Sequence, residues 1–149
     1  MQLAPTLTLS FSDVRRQALA NRLTDTAARL DKVVAIIAPD AANPKKPALA
    51  WGDDLGIFEH LNKAANVLDQ GYDGLSEIFT RRQAGRLFDA LEADVAHVQA
   101  YRDAALAIDE GKKLGPLAPA PTLGTDAVRL LTRAALDARA AVLLLAPKA

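Results

Sequence analysis

An apolar stripe with helical spacing runs through residues 81–110, and it constrains the fold more than any other feature of the sequence. Its side chains recur at steps of three, four or seven residues, which places them on one face of an α-helix. They include Leu87, Leu91, Val98 and Ala105. About 30 residues at 1.5 Å each make a rod of roughly 45 Å. Because such a rod is not stable alone, the stripe predicts that other helices pack along it.

Local signals set the bounds of this predicted helix. Thr80 and Gln83 have the spacing of a capping box, in which each side chain bonds to the backbone N–H of the other residue. Gly111 is a typical C-terminal stop. No proline lies between them. The sequence therefore predicts one uninterrupted helix over 81–110.

Three further apolar stripes predict three more helices. They are expected at about 12–38, 54–70 and 125–146. Pro39 ends the first, since the residue before a proline is pushed out of the helical region. Gly71 and Gly74 are expected to break the chain after the second, with one helical turn over 73–79. Thr125 is the expected N-cap of the last.

The composition agrees with a helical fold. Half of the 149 residues are hydrophobic, only 5% are aromatic, and alanine and leucine, both strong helix formers, supply most of the hydrophobic half. The expected fold is all-α, an up-and-down four-helix bundle in a single domain, 1–149. A short extended arm, 1–9, precedes it, and two long proline-rich loops, 39–52 and 111–124, connect its helices.

Composition also restricts the classes of function and location. The formal net charge is zero, which counts against a strongly basic nucleic-acid module. The chain has no cysteine, which excludes disulfides and thiolate metal sites. The N-terminus lacks the basic and apolar regions of a signal peptide. No apolar run approaches the roughly 20 residues that a membrane helix needs. We expect a soluble, cytoplasmic protein without a membrane partner or cofactor.

Arginine pairs open two of the predicted helices and form the first candidate site. In an up-and-down bundle the first and third helices begin at the same end, next to two helix N-termini that favour anions. The candidate anion- or partner-binding residues are Arg15, Arg16, Arg81, Arg82 and Arg86. The alternative is that nearby acids, Asp13, Asp73 and Glu77, neutralise them.

The proline-rich loops form the second candidate site. The alternation of helices would bring both loops to the opposite end of the bundle, where long loops often carry function. The candidate partner contacts are Lys45, Lys46, Trp51, Lys112 and Lys113. The alternatives are that the lysines keep the protein in solution and that Trp51 closes the end of the core.

A metal site is the third and weakest hypothesis. The candidate ligands are His60, Asp94 and His97, with Glu59 and Glu92 nearby. The Glu-x-x-His motif of di-iron bundles does not occur. Asp94 also interrupts the apolar stripe, and a buried polar group usually has a partner. Thr26 on the first helix is the expected one.

These patterns favour a non-enzymatic interaction or assembly protein, whose partner is another protein or a second copy of the chain. No nucleophile motif, P-loop or dinucleotide-binding pattern is present. Small alanine-rich bundles of this kind suggest, as a guess from class alone, a virion or mobile-element component. The first alternative is a nucleic-acid-binding regulator that uses the arginine-rich end. The second is a metal-binding helical-bundle enzyme.

Overall fold

The computed structural model describes residues 11–41, 56–109 and 120–146, and every regular element within them is helical. The α-helices are α1 (Phe11–Ile37), α2 (Ile57–Ile78), α3 (Arg81–Ala84), α4 (Leu87–Asp109) and α5 (Ala120–Leu145). A 3-10 turn, Ala38–Asp40, follows α1. The all-α prediction is confirmed for this part of the chain. The predicted arm at 1–9 and residues 42–52 and 111–119 of the predicted loops lie outside the described residues.

The start of α5 differs from the prediction, whereas the end of α1 agrees with it. The helix α1 ends at Ile37, immediately before the turn that contains Pro39. The prediction that Thr125 caps the last helix is wrong, because α5 begins at Ala120 and Thr125 lies inside it. Pro121 is the second helical residue. Proline is tolerated there, since the N–H groups of a first turn have no partner within the helix.

The predicted break at Gly71 and Gly74 is also wrong, because α2 runs through both residues to Ile78. Both glycines face α1. A Cβ atom at Gly71 would lie 3.0 Å from Leu23 Cδ2, and one at Gly74 would lie 2.9 Å from Leu19 Cδ2. The absence of side chains at these two positions lets α1 approach α2 closely. This packing offsets the intrinsic cost of glycine inside a helix, about 1 kcal/mol each.

The long helix predicted over 81–110 is interrupted at Gly85. Its start is confirmed: the Thr80 N–H donates to Gln83 Oε1 at 2.9 Å, and the Gln83 N–H donates to Thr80 Oγ1 at 3.2 Å. After four helical residues, Gly85 has φ 59° and ψ −133°, which ends α3. The chain resumes as α4 at Leu87. Because Gly85 adopts a positive φ that residues with a Cβ rarely populate, the interruption depends on glycine.

The four long helices pack side by side, and side-chain pairs show that α1 and α2 run antiparallel. Arg15 bonds to Glu77, and Arg22, further along α1, bonds to Gln70, which comes earlier in α2. Helix α1 contacts α2 and α5, and α4 contacts the same two helices. Helices α1 and α4 therefore lie on opposite sides of the core.

Leucine and isoleucine from all four long helices fill the core. The largest fully buried side chains are Leu23, Leu30, Ile37, Ile57, Leu61, Leu68, Leu75, Leu91, Leu131 and Leu145. Helix α5 adds mainly small residues, Ala127, Ala134, Ala135, Ala138 and Ala141. None of the described helices has both the length and the apolar character needed to cross a bilayer.

Candidate functional site

The arginines at the start of α1 already have partners within the protein. Arg15 forms an ion pair with Glu77 at the end of α2, which is one of the neutralising acids expected from the sequence. The guanidinium of Arg16 lies over the ring of Phe79, 5.0 Å from its centroid. Its Nε atom is buried without a hydrogen-bond partner. Both side chains therefore tie α1 to the end of α2.

The arginines near α3 divide into one that is paired and two that are not. Arg81 forms an ion pair with Asp89 at 3.1 Å across the break at Gly85. Arg82 and Arg86 are exposed, and neither forms an ion pair with a described residue. Of the five arginines predicted to form an anion site, these two keep the most available guanidinium groups. The predicted loop contacts, Lys45, Lys46, Trp51, Lys112 and Lys113, lie outside the described residues.

The two histidines lie in different places. His60 on α2 accepts a hydrogen bond at Nδ1 from Arg29 Nη1, at 2.9 Å. Burial, followed by the positive charges of Arg29 and Lys32, lowers the pKa of His60. His97 lies on α4, one turn after Asp94. Across residues 11–41, 56–109 and 120–146, no group of three or more His, Asp or Glu side chains is arranged to hold a metal ion.

A groove of about 280 Å³ lies between α4 and α5, and Asp94 faces into it. Its lining comprises Ala90, Ala93, Asp94 and His97 from α4, and Arg129, Leu130 and Arg133 from α5. The two alanines leave room on the α4 side, and Leu130 forms an apolar wall. The side chains of Arg129 and Arg133 are 68% and 70% exposed, so they lie toward solvent. The groove therefore has an acidic interior and basic edges.

The acid inside the groove is one of a pair of carboxyl groups. Asp94 is only 2% exposed, and it shares a hydrogen bond with Asp137 of α5. Burial, followed by the hydrogen bond to Asp137 and its negative charge, raises the pKa of Asp94 to about 8, with Arg133 acting in the opposite direction. Two ionised carboxylates in contact repel each other, so the pair holds a proton at neutral pH.

The sequence correctly predicts that Asp94 is buried, but the polar group that contacts it is Asp137 and not Thr26. Thr26 is buried in α1, which lies across the core from α4. A sequence signal for Asp137 does exist. It lies three residues after Ala134 and four before Ala141, which are both fully buried, so it belongs to the edge of the inward face of α5.

Three polar atoms at this site are buried and, apart from the proton that the Asp94–Asp137 pair shares, accept no hydrogen bond from another described residue. They are Asp94 Oδ2, Asp137 Oδ2 and His97 Nδ1. The Nε atom of Arg133 lies 3.8 Å from Asp137 Oδ2, which is too long for a hydrogen bond. Leaving a buried polar group unpaired costs about 1–3 kcal/mol.

A second surface feature lies on the outer side of α5. The side chains of Leu136 and Leu143 are 57% and 77% exposed. They are seven residues apart, so they lie on one line along the helix, with the exposed Ala140 between them. Arg139, on the same side, forms an ion pair with Asp31 of α1. Exposed leucines at this spacing form an apolar strip, which we call the α5 strip.

Comparison with protein-family models, with curated proteins and with solved structures finds no match to this chain.

Proposed function

We propose that this chain is a non-enzymatic interaction protein of the cytoplasm, built as an up-and-down four-helix bundle, that assembles with a second copy of itself through the α5 strip. The observation that carries the proposal is the exposure of Leu136 and Leu143. A contiguous exposed apolar patch on a soluble protein often marks a protein–protein contact. The strip extends along a rigid helix whose opposite side is buried in the core.

The spacing of the α5 strip is self-complementary. When two copies of α5 meet in antiparallel orientation about a two-fold axis between Arg139 and Ala140, Leu136 of one copy lies opposite Leu143 of the other. The same contact then occurs twice, as in an isologous dimer. Ala140, close to the axis, allows the helices to approach because it has only a methyl group. The arrangement resembles the alternation of large and small side chains in packed helix pairs.

The charge at the centre of this contact also favours pairing. Arg139 lies beside the proposed axis, and two unpaired arginines meeting there would repel each other. Each Arg139 is already paired with Asp31 of its own chain. The ion pair reduces the repulsion and leaves the methylene groups of Arg139 available to cover apolar surface.

The expected dimer is weak. A fully buried leucine contributes roughly 1.5–3 kcal/mol, and the four partly exposed leucines of a dimer would together supply about 5 kcal/mol on that scale. Loss of translational and rotational freedom on association costs an estimated 4–15 kcal/mol. The flanking contacts must therefore supply the surplus, and we expect a dimer whose population depends on protein concentration.

The test is the mass of the chain in solution as a function of concentration. Light scattering after size-exclusion chromatography is expected to show a mass that rises from 15.8 kDa toward twice that value. Leu143→Glu is expected to keep the chain monomeric, because two charges would be placed within the apolar contact. Leu106→Glu is the matched control, since Leu106 is 37% exposed on α4, away from the strip. A wild-type chain that stays monomeric throughout would refute the proposal.

Arg82 and Arg86 are exposed and form no ion pair with a described residue, which favours a second candidate, a nucleic-acid-binding role at the arginine-rich end. Phosphate contacts from arginine give an affinity that falls steeply with salt. The double variant Arg82→Glu/Arg86→Glu is expected to abolish salt-sensitive retention of a DNA duplex. Lys63→Glu, an exposed change on α2, is the control. If wild-type protein does not retain DNA at low salt, this alternative is wrong.

A further inference from the structure

A groove of about 260 Å³ lies between α1 and α2, and we call it the α1–α2 groove. Its floor is apolar and consists of Ala18 and Leu19 of α1 with Gly74 and Ile78 of α2. Gly74 leaves room in the floor, because a Cβ atom there would lie 2.9 Å from Leu19 Cδ2. Pockets for drug-sized ligands have volumes of roughly 300–1,000 Å³, so this groove suits a smaller molecule.

Guanidinium groups line both ends of the α1–α2 groove. Arg15 and Arg22 both belong to its lining, and they are about 10 Å apart along the axis of α1 at 1.5 Å per residue. Arg15 forms an ion pair with Glu77, whereas Arg22 donates to the uncharged amide oxygen of Gln70. No carboxylate among the described residues forms an ion pair with Arg22. The Arg22 end of the groove therefore carries a positive charge that no described acid neutralises.

The hydrogen-bond donors at this end remain available to a ligand. The guanidinium of Arg22 has several N–H donors in a planar fork, and its bond to Gln70 uses one of them. The amide of Gln70 accepts that bond through its oxygen, which leaves its NH₂ group as a further donor. Both side chains are exposed and line the groove, so a molecule within the groove reaches them. A carboxylate matches these donors, because it accepts two parallel N–H bonds from one guanidinium.

We propose that the α1–α2 groove binds a free alkyl carboxylate. The carboxylate accepts hydrogen bonds from Arg22 and Gln70, and the alkyl chain lies along Leu19 and Gly74 toward Ile78. This direction follows from the antiparallel arrangement of α1 and α2, which places Gln70 beside Arg22 and Ile78 at the other end of the groove. Each methylene group buried on the floor adds to the affinity, so the chain and the charge both contribute.

The lining of the groove favours this ligand over other anions and over peptides. A peptide segment would bring backbone N–H groups that need acceptors, and the amide oxygen of Gln70 already accepts from Arg22. A dicarboxylate would place its second charge toward Arg15, where Glu77 already supplies a negative charge. Inorganic phosphate and acetate lack a chain to cover the apolar floor. A monocarboxylate with an alkyl chain uses both parts of the groove.

Isothermal titration calorimetry with hexanoate at neutral pH tests the proposal. We expect saturable binding at one site per chain. The probe 1-hexanol has the same chain length without the charge, and acetate has the charge without the chain. Each is expected to bind at least about tenfold more weakly than hexanoate. Binding of 1-hexanol or acetate as tight as that of hexanoate, or no saturable binding of hexanoate, overturns the proposal.

Two arginine variants separate the groove from the charge of the whole surface. Arg22→Gln is expected to weaken hexanoate binding at least about tenfold, because it removes the charged donor of the carboxylate. Arg22 is exposed, so the variant is expected to fold. Arg129→Gln is the matched control, since Arg129 is an exposed arginine on α5, where it pairs with Asp126. Equal losses in the two variants would mean that hexanoate responds to net charge alone, against the proposal.

Two further variants locate the alkyl chain. Gly74→Ala places a methyl group in the floor of the groove, beside Leu19, and is expected to weaken hexanoate binding about fourfold while acetate binding stays as in wild type. Leu143→Glu changes the α5 strip, and its affinity for hexanoate is expected to equal that of wild type. Unchanged hexanoate affinity in Gly74→Ala, or a loss in Leu143→Glu, would place the chain outside the α1–α2 groove and overturn the proposal. The Leu143→Glu arm also keeps this test separate from the proposed dimer.

Discussion

Raising the pH from 6 to 8 is expected to destabilise this protein through Asp94, and Asp94→Asn is expected to remove that effect. The pKa of Asp94 is about 8 in the folded chain, against 3.8 ordinarily. Between these values the folded state binds the proton and the unfolded state does not. The free energy of unfolding therefore decreases as the pH rises, and this contribution is lost as the pH passes 8.

The expected magnitude follows from the position of the pKa. Each pH unit well below a folded-state pKa changes stability by about 1.4 kcal/mol, and the change levels off near the pKa itself. From pH 6 to 8, wild type should lose about 2 kcal/mol relative to Asp94→Asn. The asparagine amide can donate to Asp137 as the protonated carboxyl does, so the variant keeps the hydrogen bond without a titrating group.

Urea unfolding at pH 6, 7 and 8 measures this difference. The groups around Asp94 are Asp137 and Arg133 on α5 and His97 on α4, and all of them remain in the variant. His60 has a lowered pKa, so its contribution has the opposite sign, and subtracting the variant curve from the wild-type curve removes it. Glu92→Gln should parallel wild type. A wild-type-minus-Asn difference that is constant from pH 6 to 8 would refute the reasoning.

Two further predictions concern glycines and use thermal or urea unfolding. Gly71→Ala is expected to lower the free energy of unfolding by about 1 kcal/mol, because the new Cβ would press on Leu23, which is fully buried. Overpacking costs about 1–3 kcal/mol, which exceeds the roughly 1 kcal/mol that alanine gains over glycine in helix propensity. Gly74→Ala is expected to be neutral or stabilising, because Leu19 lines an open groove and can move; a larger loss here than at Gly71 would contradict this account. Gly85→Ala is expected to cost about 1–3 kcal/mol through backbone strain alone, since nothing lies within 4 Å of its Cβ position; no loss there would show that the break does not need a positive φ.

The same three glycines show why helix boundaries could be predicted only in part. Gly71 and Gly74 are followed by no break, because Leu23 and Leu19 of α1, about 50 residues earlier, pack against them. Gly85 has no such neighbour and takes a positive φ. The sequence alone predicted a break at Gly71 and Gly74 and an uninterrupted helix through Gly85. Which glycine interrupts a helix is decided by contacts between helices, and these are invisible to local spacing.

Features determined within a few residues were predicted correctly. The Thr80–Gln83 capping box and the end of α1 before Pro39 depend only on neighbouring residues. The start of α5 was predicted too late in the sequence. Pro121 was assigned to a proline-rich loop, but a proline also fits the first turn of a helix, where it lies.

The candidate site depends on which helices become neighbours, and for that reason it was predicted least well. The stripe of α4 correctly placed Asp94 in the interior, but the expected partner, Thr26, was wrong. Only the packing of α4 against α5 brings Asp137 to it. The groove was missed, because its residues come from two segments separated by about 30 positions. Local sequence was enough to locate the arginines at the helix starts. The ion pairs of Arg15 and Arg81 depend on how the chain folds, so local sequence did not reveal them.

The contact between α1 and α5 has a consequence for synthesis of the chain. Helix α1 packs against α5, and the Asp31–Arg139 ion pair joins residues 108 positions apart. During translation at about 5–20 residues per second, α1, α2 and α4 leave the ribosome before the helix that completes their core. For those seconds the apolar faces of α1 and α4 lack α5. A chain whose synthesis stops before residue 120 should therefore be recognised by chaperones and proteases, because α1, α2 and α4 then lack the helix that completes their core.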